Sequence, residues 1–239
     1  MDSRLEKLLN RWIEDGKVGE PIMTICEIIA LVICTVYSIR TNIGKVFFLY
    51  ISFDFLISIF DYYLMYFSDI PKYQTFAFIY ISNALISAVE ICVYYYFFFH
   101  VLRSVSVKRA MKFLLIAYGF IFAGLMMLKD HKADSYRHIS GIIGATEFLF
   151  VLFPCLIYYF ELFSIKTSED LLKRPAFWIV TGIFFYSVVS IPYYLIYNFL
   201  QTNKYHSVTQ LSMYMFYIPF SINFLFLSKA FLCKKLLTI

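Results

Sequence analysis

The sequence from Phe76 to Leu102 reads FAFIYISNALISAVEICVYYYFFFHVL, a run that is apolar enough and long enough to cross a lipid bilayer. Four polar side chains interrupt this run, namely Asn83, Ser87, Glu90 and Tyr94. Their spacing of i, i+4, i+7 and i+11 places them on one face of an α-helix. Because a carboxyl group in the middle of a membrane is costly, this face predicts a site inside a bundle of helices.

The composition of the whole chain agrees with a membrane location. The 239 residues are 61% hydrophobic, 21% aromatic and only 15% charged, which is far too apolar for a soluble domain of this size. The net charge of +5 comes from basic residues scattered between apolar runs, so no patch indicates a nucleic-acid partner. The five cysteines lie within or at the ends of apolar runs without a CxxC pair, which predicts reduced thiols.

Seven apolar runs are each long enough to cross about 30 Å of hydrocarbon at about 1.5 Å per residue. The connections between them are short and polar, which predicts an all-α integral membrane protein, a seven-transmembrane-helix up-and-down bundle over residues 21–232. The predicted spans are residues 21–39, 46–66, 76–102, 111–128, 139–163, 176–200 and 207–232.

Two short segments flank the predicted bundle. Residues 1–20 have Leu5, Leu8, Leu9 and Trp12 at helical spacing among charges, which predicts an amphipathic helix on the membrane surface or else a partly ordered tail. Residues 233–239 form a short basic tail.

The distribution of Lys and Arg predicts the orientation of the bundle. The connections after spans one, three and five and the C-terminal tail carry most of the basic residues: Arg40, Lys45, Arg103, Lys108, Arg109, Lys112, Lys166, Lys173, Arg174, Lys229, Lys234 and Lys235. The positive-inside rule therefore predicts an integral protein of the cytoplasmic (inner) membrane of a bacterium, with its N-terminus outside and its C-terminus in the cytoplasm.

Polar faces recur in other predicted spans. Asp54, Ser58 and Asp61 share one face of span two, and Glu147 lies on a face of span five. With Glu27 and Glu90, these residues make five acids that have no Lys or Arg at a comparable depth. Three outcomes remain open: the acids are protonated and hydrogen-bonded, they face a water-filled cavity, or they hold a cation. An interior in which neutral acids only join helices is the simplest alternative.

These faces define the candidate site. The residues predicted to bind a ligand or protons are Glu27, Asp54, Asp61, Asn83, Ser87, Glu90, Tyr94, Glu147, Tyr194, Asn198 and Asn223. Pro154, Pro192 and Pro219 lie inside spans five, six and seven, where each removes a backbone hydrogen bond and is a candidate gating residue. The histidines have no metal-ligand spacing and no GxSxG motif occurs, so we predict no metal, no cofactor and no catalytic residue.

One segment carries a resemblance to known sequences. A basic loop leads into FWI..G...FY....IP, formed here by Phe177, Trp178, Ile179, Gly182, Phe185, Tyr186, Ile191 and Pro192. This pattern, together with Glu90 followed by the aromatic residues 94–99, resembles an uncharacterised group of seven-helix membrane proteins from Bacteroidetes-type bacteria. The layout of that group is similar to the seven-helix sensory modules of bacterial receptors, which implies signalling through a cytoplasmic partner such as a histidine kinase.

The leading functional hypothesis is therefore a receptor-like sensory module. It would bind a small, lipidic or cationic ligand, or protons, in an acidic pocket that opens outward, and signal to a cytoplasmic partner. The alternatives are an integral membrane enzyme that modifies lipids with the carboxylate cluster, a proton- or cation-coupled transporter, and a subunit whose polar faces only specify assembly.

Overall fold

A computed structural model describes residues 19–37, 41–66, 72–127, 133–164, 171–202 and 206–233. Over these residues the chain is all helical and contains no strand. The predicted N-terminal surface helix lies outside the described residues except for its last two positions, and so does the basic tail beyond Cys233.

Seven α-helices and one 3₁₀ turn make up the described chain. The helices are α1 Gly19–Tyr37, α2 Asn42–Tyr66, α3 Lys72–Val101, α4 Val105–Met127, α5 Ala133–Ser164, α6 Pro175–Thr202 and α7 His206–Leu232, with the 3₁₀ turn at Leu171–Lys173. Six of them, α2 to α7, are long and apolar enough to cross a membrane, whereas the apolar part of α1, Pro21–Tyr37, is shorter. The architecture is consistent with an α-helical membrane protein.

Several helices extend beyond the apolar runs that predicted them. The differences are largest at the starts of α4 and α5, which begin at Val105 and Ala133 rather than at residues 111 and 139. Hydropathy marks only the part of a helix that lies in hydrocarbon, whereas the backbone hydrogen-bond ladder continues into the interface until a capping group ends it. At the start of α4 that group is Ser104, whose hydroxyl oxygen accepts the N–H of Val107 at 3.4 Å.

Six helices surround a common interior, and one lies outside them. Following the pairs of helices in contact gives the closed order α1, α2, α3, α5, α6, α7 and back to α1, while α4 packs against the outside of α3 and α5. The side chain of Phe120 on α4 is 75% exposed, as expected for a helix that faces lipid on most of its surface. The interior enclosed by the ring is therefore formed without α4.

A layer of aromatic side chains fills the interior toward the end of the bundle where α2 begins and α3 ends. Phe47 makes edge contacts with Phe97 and Phe231 at ring centroid distances of 5.8 and 6.1 Å. All three side chains are fully buried. We call Phe47, Phe97 and Phe231 the aromatic floor, because it closes the interior at the end that the sequence predicts to face the cytoplasm.

Candidate functional site

A cavity of about 350 Å³ opens inside the ring of six helices, on the other side of the aromatic floor. It lies in the half of the bundle that contains the end of α2 and the start of α3, which is the half predicted to face outward. Its described lining comes from α1, α2, α3, α5, α6 and α7, and none comes from α4. The cavity therefore occupies the centre of the ring.

One side of the cavity is acidic. Asp54, Ser58 and Asp61 line it from α2, in keeping with their spacing along one helical face. Helix α3 adds Asn83, Ser87 and Glu90, and α5 adds Glu147. No Lys or Arg is found among the described residues that line the cavity.

Three of these acids lie deep in the bundle. The side chains of Asp54, Glu90 and Glu147 are only 4%, 3% and 1% exposed. Asp54 is within electrostatic range of Glu90, and Glu90 is within range of Glu147. In the described part of the chain, one carboxyl oxygen of each has no hydrogen-bond partner. We call these three residues, all of which line the cavity, the inner acid group. Their orphan oxygens are hydrogen-bond acceptors that the described protein groups leave unsatisfied.

The fourth acid lies nearer the cavity mouth. Asp61 is partly exposed, and the Ser82 hydroxyl oxygen lies 2.9 and 3.0 Å from its two carboxyl oxygens. The same hydroxyl is 2.9 Å from the carbonyl oxygen of Ile79, and its single proton can be donated to only one acceptor at a time. Ser82 therefore orients the Asp61 carboxylate, which we call the outer carboxylate, but leaves most of its acceptor capacity free.

Six aromatic side chains form another part of the cavity lining, which we call the aromatic wall. Phe148 on α5 contacts Tyr186 and Tyr194 on α6 at ring centroid distances of 4.8 and 5.8 Å. Tyr186 continues to Phe220 on α7 at 5.4 Å, and Phe216 stacks on Tyr193 at 5.2 Å. All of these side chains line the cavity. Two of these rings, Tyr186 and Tyr194, lie within electrostatic range of Glu90 and Glu147.

Between the cavity and the aromatic floor lies a second layer of polar side chains. The hydroxyls of Tyr50 and Tyr94 lie beside the Glu90 carboxyl group, and the two rings are 6.0 Å apart. The Asn223 amide Nδ2 donates to the Tyr94 hydroxyl at 3.2 Å, which links α7 to α3. Tyr94 and Asn223, both predicted as site residues, therefore support Glu90 from below instead of lining the cavity.

The remaining predicted site residues have different positions. Glu27 is fully buried in α1, within electrostatic range of Asp54, and is not among the described residues that line the cavity. Neither of its carboxyl oxygens has a hydrogen-bond partner among the described residues.

Asn198 belongs to α6, but its side chain lies outside the described residues. Pro154, Pro192 and Pro219 all occur inside helices, and whether they gate the cavity stays a prediction.

The sequence reasoning did not place the aromatic wall in the site, apart from Tyr194. Tyr186 and Tyr193 are seven residues apart, and Phe216 and Phe220 four apart, so helical spacing alone would have grouped them. In a chain that is 21% aromatic this signal is hidden, because most aromatic side chains face lipid or other apolar groups.

The described side chains do not assemble a metal-binding group. No three His, Cys, Asp or Glu side chains in the described ranges are close enough together to hold a metal ion. The described cysteines are free thiols, three of them buried. The arrangement favours binding of a positively charged group by separate carboxylates and ring faces over coordination of one metal ion.

Comparisons of the chain with models of protein families, with characterised proteins and with solved structures found no match.

Proposed function

We propose that this protein is a receptor-like membrane module that binds a small organic cation in the cavity and changes its cytoplasmic surface in response. The observation that carries this proposal is the imbalance of charge around the cavity, where four carboxyl groups meet no Lys or Arg among the described lining residues. A buried ionised carboxylate without a partner is strongly destabilising, so a ligand that brings a positive charge gains most from this site.

The orphan oxygens of the inner acid group favour an ammonium ligand over other classes. An ammonium group donates hydrogen bonds and supplies the missing positive charge at the same time. An anion would meet several like charges, and a purely apolar ligand would leave Asp54, Glu90 and Glu147 with unpaired oxygens.

The aromatic wall supports the same ligand class. A cation above a Tyr or Phe ring face gains about 0.5 to 2 kcal/mol, with the larger value where water is excluded. Tyr186 and Phe148 both line the cavity, and Tyr186 lies within electrostatic range of Glu90 and Glu147, so the rings and the carboxyl groups favour the same sign of charge.

The cavity has the shape of a binding site with one opening. It lies on one side of the aromatic floor, in which Phe47 packs against Phe97 and Phe231. A receptor needs only this opening, whereas a transporter would also have to open the floor, so a measurement of flux separates the two.

Helix α3 provides a physical route from the cavity to the predicted cytoplasmic surface. It carries Glu90 at the cavity and ends in a turn that is held by Glu161 of α5, whose carboxylate oxygens accept the N–H groups of Arg103 and Ser104 at 3.0 and 3.2 Å. A ligand that binds one position of α3 better than another would shift this turn and the basic residues after it. A cytoplasmic partner such as a histidine kinase would read that shift.

The proposal is tested with purified protein and n-hexylammonium as the probe, using n-hexanol as an uncharged probe of the same chain length. We expect the amine, but not the alcohol, to raise the midpoint of thermal unfolding. Glu90→Gln should weaken amine binding about tenfold or more, since a hydrogen bond to a charged group is worth about 1.5 to 3 kcal/mol. Ser228→Ala, which removes a buried hydroxyl that bonds the Phe224 carbonyl of α7 and does not line the cavity, is the control and should keep the wild-type affinity.

Two results would oppose the proposal. Equal stabilisation by hexanol would identify an apolar pocket, and wild-type affinity in Glu90→Gln would remove the inner acid group from the site. Flux of the amine into sealed vesicles that contain the protein would instead identify a transporter.

A further inference from the structure

We infer that the ligand of this cavity is a linear aliphatic diamine, with one ammonium group bound by the inner acid group and the other by the outer carboxylate. The inference rests on the proposed function and names its ligand class. It comes from the separation of the carboxyl groups into two places along the cavity. A ligand with a single positive charge would occupy only one of these places.

The inner end of the cavity is built to receive one ammonium group. Asp54, Glu90 and Glu147 line this end from three different helices, each more than nine-tenths buried and each with one carboxyl oxygen that has no partner among the described residues. Glu90 lies between the other two, within electrostatic range of both Asp54 and Glu147, and the Tyr186 ring lines the cavity beside it. An ammonium group at Glu90 can donate to its carboxylate and is attracted by all three acids.

The outer carboxylate provides a second and separate position. Asp61 follows Asp54 by two helical turns on the same face of α2, so their Cα atoms lie about 10 Å apart along the helix axis. Its carboxylate is already oriented by the Ser82 hydroxyl, which lowers the entropy cost of binding a second charge there. Tyr80 and Tyr193 are also among the residues that line the cavity.

The lining between the two positions suits a hydrocarbon chain. Ile86 of α3 lines this stretch, and the other lining residues here, Ser58, Asn83 and Ser87, are uncharged. Methylene groups would bury against Ile86, while Ser87 is already a hydrogen-bond partner of Glu147. A ligand with a polar or charged centre would gain less here than one with a plain aliphatic chain.

The length of the ligand's hydrocarbon chain follows from the distance between the two positions. An extended chain advances about 3.5 Å for every three bonds. Each ammonium nitrogen lies inside the carboxylates that bind it, so the nitrogens should be closer together than the two α-carbons of Asp54 and Asp61. About six methylenes between the nitrogens, which span roughly 8 Å, fit this requirement.

A single divalent metal ion does not explain the two positions. No group of three acidic, histidine or cysteine side chains in the described ranges is close enough to coordinate one. Two positive charges held apart on one flexible molecule match the placement of the acids, whereas two charges on one small ion do not.

The experiment measures the affinity of the purified full chain for a series of α,ω-diamines with about three to ten methylenes, and for the monoamines of the same lengths. We expect an optimum near about six methylenes for the diamines, and 1,6-diaminohexane should bind about tenfold or more tightly than n-hexylamine. In Asp61→Asn this advantage should disappear, leaving the diamine and the monoamine equal, while the monoamine affinity stays that of the wild type. Ser228→Ala should keep both the optimum and the advantage, because Ser228 does not line the cavity.

The outcomes separate this inference from the proposed function. If the monoamine binds as tightly as the diamine, or if affinity rises steadily with chain length, the diamine inference is overturned while the cation site stands. If no amine binds, both fail. The length series uses only the unaltered protein, so it decides the question even if Asp61→Asn does not fold.

Discussion

Gly144 on α5 leaves room for the ring of Tyr194 in the aromatic wall. A Cβ atom at this position would lie 2.8 Å from Tyr194 Cζ and 2.9 Å from its Cε1 and Cε2 atoms. Real Cβ contacts are not this short, so the ring would have to move. Tyr194 is packed between Phe148 and Phe216, at ring centroid distances of 5.8 and 6.0 Å, and has little freedom to do so.

We therefore predict that Gly144→Ala lowers the free energy of unfolding by about 1 to 3 kcal/mol through overpacking, and that it also weakens amine binding. Gly124→Ala on α4 is the matched control, because nothing lies within 4 Å of the added Cβ. That control should change stability by less than about 1 kcal/mol. Thermal unfolding in one detergent measures both variants, and equal midpoints would contradict the packing argument.

The acidic residues show how far residue-level reasoning from the sequence reaches. The faces i, i+4 and i+7 of α2 and α3 follow from helical geometry alone, and the structure brings Asp54, Asp61 and Glu90 to one cavity. Which residues line the cavity and which support it does not follow from spacing. Tyr94 shares the face of Glu90, but it is one turn deeper and bonds to Asn223.

At the scale of the elements, the proline in α5 is compensated by a neighbouring helix. Pro154 has no N–H group, so the carbonyl oxygen of Phe150, four residues earlier, loses its partner in the helix. The hydroxyl of Tyr95 on α3 donates to this oxygen at 3.0 Å. A backbone carbonyl that the proline leaves unpaired thereby becomes a link between α3 and α5.

This arrangement predicts a non-additive pair of substitutions. Tyr95→Phe should cost about 1 kcal/mol of stability, because it leaves the Phe150 carbonyl unpaired inside the bundle. In a Pro154→Ala background the alanine N–H takes over that carbonyl, and the same Tyr95→Phe change should cost clearly less. A double-mutant cycle of unfolding free energies in detergent measures the difference.

Tyr159→Phe serves as the matched control for this cycle. Its hydroxyl also joins two helices, donating to the Thr181 hydroxyl at 2.9 Å, but it does not depend on the proline. Its cost should be the same with or without Pro154→Ala. If Tyr95→Phe also costs the same in both backgrounds, the link between the proline and Tyr95 is wrong.

At the scale of the whole molecule, the exclusion of α4 is the feature that the sequence reasoning missed. The prediction of an all-helical chain with helices long enough to span a membrane is confirmed for the described residues, although α1 is shorter than the other six. An up-and-down order of seven spans does not specify which of them form the interior. The predicted site residues come from spans one, two, three, five, six and seven, and none comes from the fourth, which is the helix that lies outside the ring.

The physical reason is that polar side chains gain most when they face one another, whereas an apolar helix is equally stable against lipid. Hydropathy therefore predicts where helices begin and end in the hydrocarbon, and polar faces predict which of them surround the interior. The aromatic wall and the floor could not be predicted in this way, because Phe and Tyr occur on both kinds of surface. Phe47 is fully buried and Phe120 is 75% exposed in the same chain.

The orientation in the membrane is the last prediction, and it decides from which side a ligand reaches the cavity. Basic residues gather at the end of the bundle that has the aromatic floor, whereas the cavity opens toward the other end. We expect Gln74→Cys at the start of α3 to react in intact cells with a maleimide that cannot cross membranes. Asn42→Cys at the start of α2 should react only after the cells are permeabilised.

Both positions are exposed in the structure, so reactivity reports on the side of the membrane and not on burial. Cys92 and Cys233 are replaced by Ser in both proteins, because the other three cysteines are buried. Labelling in the opposite order would place the mouth of the cavity in the cytoplasm. A receptor for an external amine would then be wrong, while the charge balance that favours a cation in the cavity would be unchanged, because it depends on the lining alone.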